Sequence, residues 1–262
     1  MNRHRNLFLY LLLAIISVAC GNPEPPCSIN GGNIAVAAAS DEECSAPLKA
    51  LLQCGRSAVD SIKSPIIGTA AITLKAYPPE SPLMNFAADA LLSEAQKQST
   101  RKIDIAITNK GGLRSDIKEG IITYGDIYNV FPFENTLAIL SLNGEQLLQL
   151  FNEIAQVHGE AISGAKLIIA HEPEKDSYKL AQATVGGKKI DKNKKYTIAT
   201  SDYLAQGNDG LHTLAQGSDR QITTISIRDL MINHIATLHK AGKAVSAKED
   251  KRIEELIPTA NR

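Results

Sequence analysis

Residues 122–157 are ITYGDIYNVFPFENTLAILSLNGEQLLQLFNEIAQV, a stretch with signals for a helix, a strand and a second helix in succession. Thr123 stands three residues before Asp126, the spacing of a capping box, so a short helix is expected to begin there. It has to stop before Pro132, because the residue preceding a proline avoids helical angles. "NTLAILSLN" then reads as a strand. "GEQLLQLFNEIAQV" reads as a helix that turns Leu147, Leu150, Phe151 and Ile154 inward.

Upstream, Leu83, Phe86, Ala87, Ala90, Leu91 and Ala95 recur at helical spacing, with Lys97 near the helix end, where the dipole favours a cation. "PPESP" before it forbids continuous helix or sheet, and "PIIGTAAITLKAY" before that reads as a strand with a polar-interrupted extension. "KIDIAIT" is a strand. Downstream, "GAKLIIAH", "YKLAQATVGG" and "KKYTIATSDYLA" are strand candidates, with a hairpin turn at Gly186 and Gly187. "ITTISIRDLMINHIATLHKA" reads as a closing helix, and the charged residues from Lys248 onward as a solvated helical tail. Helices and strands mix without clean alternation, which favours α+β over a doubly wound fold.

At the other end, Arg3, His4 and Arg5 precede "LFLYLLLAIISVA", the layout of a bacterial export signal and shorter than the roughly 20 apolar residues that a membrane span needs. "SVAC" at 17–20 resembles a lipoprotein processing box, so lipid is expected on Cys20. No Asp follows the cysteine, which by the same resemblance points to a periplasmic protein anchored in the outer membrane. The expected organisation is a signal over 1–19, a cysteine-bearing tether over 20–58 with a short helix in "APLKALLQC", a folded domain over 59–240 and a charged tail over 241–262. If Cys20 is lipidated, Cys27, Cys44 and Cys54 remain, and one disulfide plus one free thiol is the simplest arithmetic. Removing 1–19 takes out Arg3 and Arg5 and no acid, so 28 basic residues fall to 26 against 28 acidic ones. That balance gives no reason to expect a nucleic-acid polymer as partner.

Three polar segments each follow or interrupt an apolar one, at 109–114, 131–135 and 201–210. In the first, Gly111 and Gly112 let main-chain N–H groups approach a ligand, Arg114 offers a rigid donor fork, and Asn109 can donate and accept. An ordinary turn with a surface arginine accounts for the same letters. In the second, Phe131 and Phe133 flank Pro132. In the third, Asn208, Asp209 and Gly210 are turn chemistry, but a turn does not explain the preceding Asp202 and Tyr203. If Phe133 and Tyr203 face each other they form a slot for a flat ring, worth roughly 1–3 kcal/mol per stacked base.

Four motifs stand in order, "SPLMNFAADAL", "TNKGGLRSDI", "GIITYGDIYNVFPFENTLAILSLNGEQL" and "YTIATSDYLAQGNDGL", and together they carry a resemblance. From about residue 59 to 239 the chain resembles the C-terminal, substrate-binding domain of the 5′-nucleotidase, UDP-sugar hydrolase and 2′,3′-cyclic phosphodiesterase family. The resemblance implies an α+β fold in four layers, α/β/β/α, with mixed sheets. It implies a base sandwiched between Phe133 and Tyr203, Asn109 at the base or ribose, Asn135 near the base edge, Arg114 on phosphate or sugar, and Asp209 on the ribose hydroxyls. The chain departs from the pattern where Lys110 replaces the first glycine of a triplet, so a side chain is expected in the mouth of the loop. Asn208 also stands for a glycine and Leu211 for an aromatic, and an arginine usual before the first helix is missing.

Hydrolysis in that family belongs to a dinuclear metal centre in a separate N-terminal domain, built on Asp-x-His and Gly-Asn-His-Asp/Glu stretches, and this sequence has neither. His234 and His239 are five apart and share no helical face well. No cofactor is therefore expected in this chain, and divalent metals only in a partner catalytic domain. Three functions stay open: a binding module for a nucleoside or nucleotide, a hydrolase working with a separate metallophosphatase subunit, and an envelope interaction domain whose pocket has decayed. The first is preferred because the aromatic positions and Asp209 persist.

Overall fold

The computed structural model describes residues 45–256. The chain divides into two units, residues 1–52 and 53–262. Of the first, only 45–52 are described, most of them in helix α1 (Ala46–Lys63), which is exposed along its whole length and longer than the short helix expected there. Cys54 on this helix is a free, exposed thiol. Cys20, Cys27 and Cys44, and with them the lipidation and disulfide expectations, lie outside the described residues. Among the described residues no helix is long and apolar enough to cross a membrane.

The second unit runs β1 (Ile66–Ala70), α2 (Pro82–Gln98), β2 (Ile105–Thr108), β3 (Gly120–Thr123), α3 (Tyr124–Val130), β4 (Thr136–Asn143) and α4 (Gly144–Gln156). Then follow β5 (Ala161–Ser163), β6 (Ala165–Glu172), β7 (Ser177–Val185), β8 (Lys188–Lys189), β9 (Lys195–Ser201), α5 (Asp202–Ala205), β10 (Ser218–Ser226), α6 (Ile227–Lys240) and β11 (Ile253–Leu256). The capping box at Thr123 and Asp126 is formed, and Asn143 with Gln146 makes a second one at the start of α4. Each joins two otherwise unpaired helix-end groups by reciprocal bonds, which fixes where α3 and α4 begin.

One sheet has the order β10-β4-β9-β2-β5, another β11-β6-β7-β8, and β1 pairs with β3 alone. Both larger sheets are mixed: β2 with β9 and β11 with β6 are parallel, and the other pairings are antiparallel. Alternation along β4 serves two cores at once. Leu137 and Ile139 pack with α2 and α6, whereas Ala138, Leu140 and Leu142 pack with Leu147, Leu150, Phe151 and Ile154 of α4 and with Leu167 and Ile169 of β6. Each fully buried leucine or phenylalanine contributes about 1.5–3 kcal/mol, so the five-stranded sheet is held from both faces.

Two expectations fail. The closing segment is not one helix: residues up to Ser226 form β10 against β4, and helix starts only at Ile227. The β-branched run Ile222, Thr223, Thr224 and Ile225 favours the extended chain, and the open edge of β4 supplies its partner. Nor is the charged end a helical tail. It carries β11, parallel to β6, with Ile253 buried.

Candidate functional site

The topology brings the three polar segments to one end of the five-stranded sheet, at its three central strands. Strands β2 and β9 are parallel, so the loops after Thr108 and Ser201 leave at the same end, and β4 runs against β9 with Leu137 opposite Ser201, so the segment entering β4 arrives there too.

In the first loop a short 3₁₀ turn covers Lys110–Gly112. Asn109 is 7% exposed and folds its side chain over the turn, so a Cβ on Gly112 would lie 2.8 Å from Asn109 Oδ1, which only glycine avoids. Asn109 Nδ2 donates to Asp209 Oδ2 at 2.6 Å, across 100 residues of chain. Arg114 is exposed, and its main-chain N–H donates to Val130 O.

Lys110 corrects the expectation of a side chain in the mouth of the loop. Its Nζ donates to Val157 O at 2.6 Å, Gly159 O at 2.8 Å and Glu160 Oε1 at 3.3 Å, just past the C-terminal end of α4. Its main-chain N–H donates to the other Glu160 oxygen. Burial pushes the Glu160 carboxyl above the usual carboxylate range while Lys110 pulls it back down. Replacing Lys110 by methionine is expected to cost about 2–3 kcal/mol, because it strips a buried carboxylate of its cation. Denaturant unfolding checks this, and a variant as stable as the parent would mean that the side chain is free in solution.

In the second segment the two phenylalanines part company. Phe131 is 6% exposed and belongs to the core, whereas Phe133 is 48% exposed. In the third, the side chain of Ser201 caps α5 by accepting from Leu204 N, and Asp202 Oδ1 accepts from the main-chain N–H groups of Thr136 and Tyr203. Asp202 is therefore a fastener between loops. Asn208 Nδ2 donates to Tyr203 O at 2.8 Å, so Asn208 also holds the loop in shape. Residues 208–211 form a turn closed by Leu211 N–H on Asn208 O, with φ +54 at Asp209 and +80 at Gly210. Both central residues at positive φ is the type I′ pattern that Asn, Asp and Gly favour. The turn reading holds, and the turn is what places Asp209 on the wall of the cleft.

Asn109, Gly111, Arg114, Phe133, Asn135, Tyr203 and Asp209 line one cleft of about 360 Å³. That lies at the small end of the roughly 300–1,000 Å³ typical of small-molecule sites. Gly112 lies behind it, in a smaller recess shared with Thr108, Phe131, Ile227 and Arg228. The Tyr203 hydroxyl donates to Asp209 Oδ1 at 2.8 Å. That bond to a carboxylate holds the phenol proton tighter than usual. Asn109 and Tyr203 thus fix the carboxylate of Asp209 from two sides, leaving lone pairs on its oxygens for a further donor.

Arg228, Glu134 and Glu160 were missed in the sequence. Arg228 reads there as one more polar residue of a helix, and its partners lie more than 90 residues away. Among the described residues no group of three or more His, Cys, Asp or Glu side chains is placed to hold a metal ion. Two aromatic side chains, a carboxylate, amide groups and one guanidinium thus line one small cleft.

Comparison with known proteins places the fold among known domains. The model of the 5′-nucleotidase C-terminal domain matches residues 61–216. The crystal structure of a 5′-nucleotidase precursor from Thermus thermophilus superposes with a TM-score of 0.69 and 25% identity, covering 79% of this chain and 43% of that one. A trifunctional nucleotide phosphoesterase of Bacillus subtilis is 29% identical over 191 residues, 69% of this chain and 13% of its own length. A cell wall protein of Listeria monocytogenes is 30% identical over 185 residues, 66% of this chain and 23% of its own. The chain spans about a quarter or less of the length of these curated relatives.

Proposed function

The chain belongs to the 5′-nucleotidase C-terminal domain family, and we propose that it serves as a nucleoside-binding module of that family. The observation that carries this reading is the cleft in which Phe133 and Tyr203 stand with Asn109, Asn135 and Asp209. A base would stack on the two rings, the amides of Asn109 and Asn135 would read its edge, and Asp209 would accept from ribose hydroxyls.

Charge favours a nucleoside over a nucleotide. Arg114 and Asp209 are the charged residues of the lining, and they are of opposite sign. Lys110, which would have added a second cation, is committed to Glu160 and the carbonyls beyond α4. An exposed ion pair contributes about 0–1 kcal/mol, so AMP is expected to bind within about fivefold of adenosine. Titration calorimetry with both ligands on the purified chain tests this. AMP bound on the order of 100-fold tighter would reveal a phosphate anchor, and no saturable heat with either would support an interaction domain with a decayed pocket.

A second reading is favoured by the length of the relatives, which extend far beyond the matched region. In it the same cleft presents a nucleotide to a metallophosphatase supplied by another polypeptide. Phosphate release from AMP with added Mn²⁺, Co²⁺ or Zn²⁺ that appears only with a co-purified partner supports it. Release by the isolated chain contradicts both readings.

A further inference from the structure

We propose that Arg228 is a positioning residue that fixes the aromatic wall of the cleft through the main chain of residues 131–134. The affinity arm of its test rests on the nucleoside reading above; the exchange arm does not.

The side chain of Arg228 is 3% exposed, yet it sits in the first turn of α6, where the helix dipole disfavours a cation. A buried guanidinium placed against local preference needs partners for its N–H groups, and four consecutive residues supply them. Its Nε donates to Phe131 O at 2.8 Å, and Nη2 reaches Pro132 O at 3.2 Å and Phe133 O at 3.0 Å. Nη1 and Nη2 both donate to Glu134 Oε1, at 2.8 and 2.7 Å. The guanidinium plane lies over the Tyr128 ring, 4.0 Å from its centroid. Alongside, the main-chain N–H of Ile227 donates to Asn135 O at 2.9 Å.

These contacts supply what the segment lacks. Helix α3 ends at Val130 and β4 begins at Thr136, so the carbonyls between them have no ladder partner, and buried carbonyls must find one. With three successive carbonyls turned onto one fork, the chain curls about the guanidinium. Phe131 is directed into the core and Phe133 out into the cleft. Lysine cannot replace this arrangement, because an ammonium is a point charge without the planar spread of five N–H donors.

The experiment compares the parent chain, Arg228→Lys, Phe133→Ala and the double variant. Adenosine affinity is expected to fall by about tenfold or more in Arg228→Lys, and Arg228→Lys should cost little further when Phe133 is already alanine. A merely structural role would lower stability without this coupling. Affinity within about twofold of the parent, or an equal loss in both backgrounds, overturns the proposal. Independently of any ligand, hydrogen exchange at the amides of Phe131, Thr136 and Ile227, which are bonded to Ile127 O, Asp202 Oδ1 and Asn135 O, should quicken by about tenfold in Arg228→Lys while exchange in α2 stays as it is. Unchanged exchange at those amides overturns the proposal even if adenosine does not bind, an outcome that would by itself sink only the nucleoside reading. Should Arg228→Lys not fold, Tyr128→Leu removes the ring under the guanidinium and keeps every donor. It too is expected to quicken exchange at the amides of Phe131, Thr136 and Ile227, and if it does not, the clamp is rejected.

Discussion

Adenosine affinity is expected to fall by at least about 30-fold when Phe133 and Tyr203 are both replaced by alanine. Stacking on an aromatic side chain is worth roughly 1–3 kcal/mol per base, and two rings on one base remove that contribution twice. Phe133 is 48% and Tyr203 38% exposed, so neither supports the core and the fold should tolerate both changes. Tyr203→Phe separates the ring from its hydroxyl. It keeps the stacking face and loses only the bond to Asp209, whose carboxylate is still held by Asn109, so affinity should change by no more than about fivefold. Titration calorimetry reads all three variants. A double alanine variant that binds adenosine like the parent would show that the rings are not the recognition surface, and the cleft would need another occupant.

What the sequence disclosed and what it hid follow one physical division. Helix α4 was legible because Leu147, Leu150, Phe151 and Ile154 repeat with the helical period, and β4 because a strand buried on both faces is apolar almost throughout. The loops of the cleft were legible as local backbone chemistry: Gly111 and Asp209 line it, and Gly112 and Gly210 shape the turns beside them. Strand β10 was hidden because ITTIS adjoins a helical pattern, and its pairing to β4 is a contact across some 80 residues. Lys110 was misplaced for a similar reason. A long, flexible side chain goes where its partners are, and these lie 47–50 residues further on. Arg228 shows the limit most plainly, since nothing near it in sequence asks for a buried cation.

Glu80 lies in the segment read only as a proline-interrupted loop, and Glu80→Ala is expected to lower stability by about 3–5 kcal/mol, because four donors lose a charged acceptor at once. The side chain is buried, with a residue exposure of 7%. Its Oε1 accepts from Asn85 Nδ2 at 2.6 Å and from the main-chain N–H of Asp250 at 2.7 Å. Its Oε2 accepts from the N–H groups of Arg252 at 2.6 Å and Ile253 at 3.1 Å. One carboxylate therefore anchors α2 and sets the register in which β11 meets β6, a pairing that Arg252 reinforces through Asp89. Alanine would leave these donors without acceptors in a place that water reaches poorly. For a domain of this size each kcal/mol moves the melting temperature by about 2–4 °C, so a drop on the order of 10 °C is expected. Glu80→Gln keeps the shape but offers one acceptor oxygen and turns an NH₂ toward other donors, so it should recover only part of the loss. Thermal melts give the magnitude, and hydrogen exchange at the Ile253 amide shows whether β11 detaches before the rest unfolds. If Glu80→Ala melts with the parent, the C-terminal strand is held by its apolar contacts alone and the carboxylate is incidental to the fold.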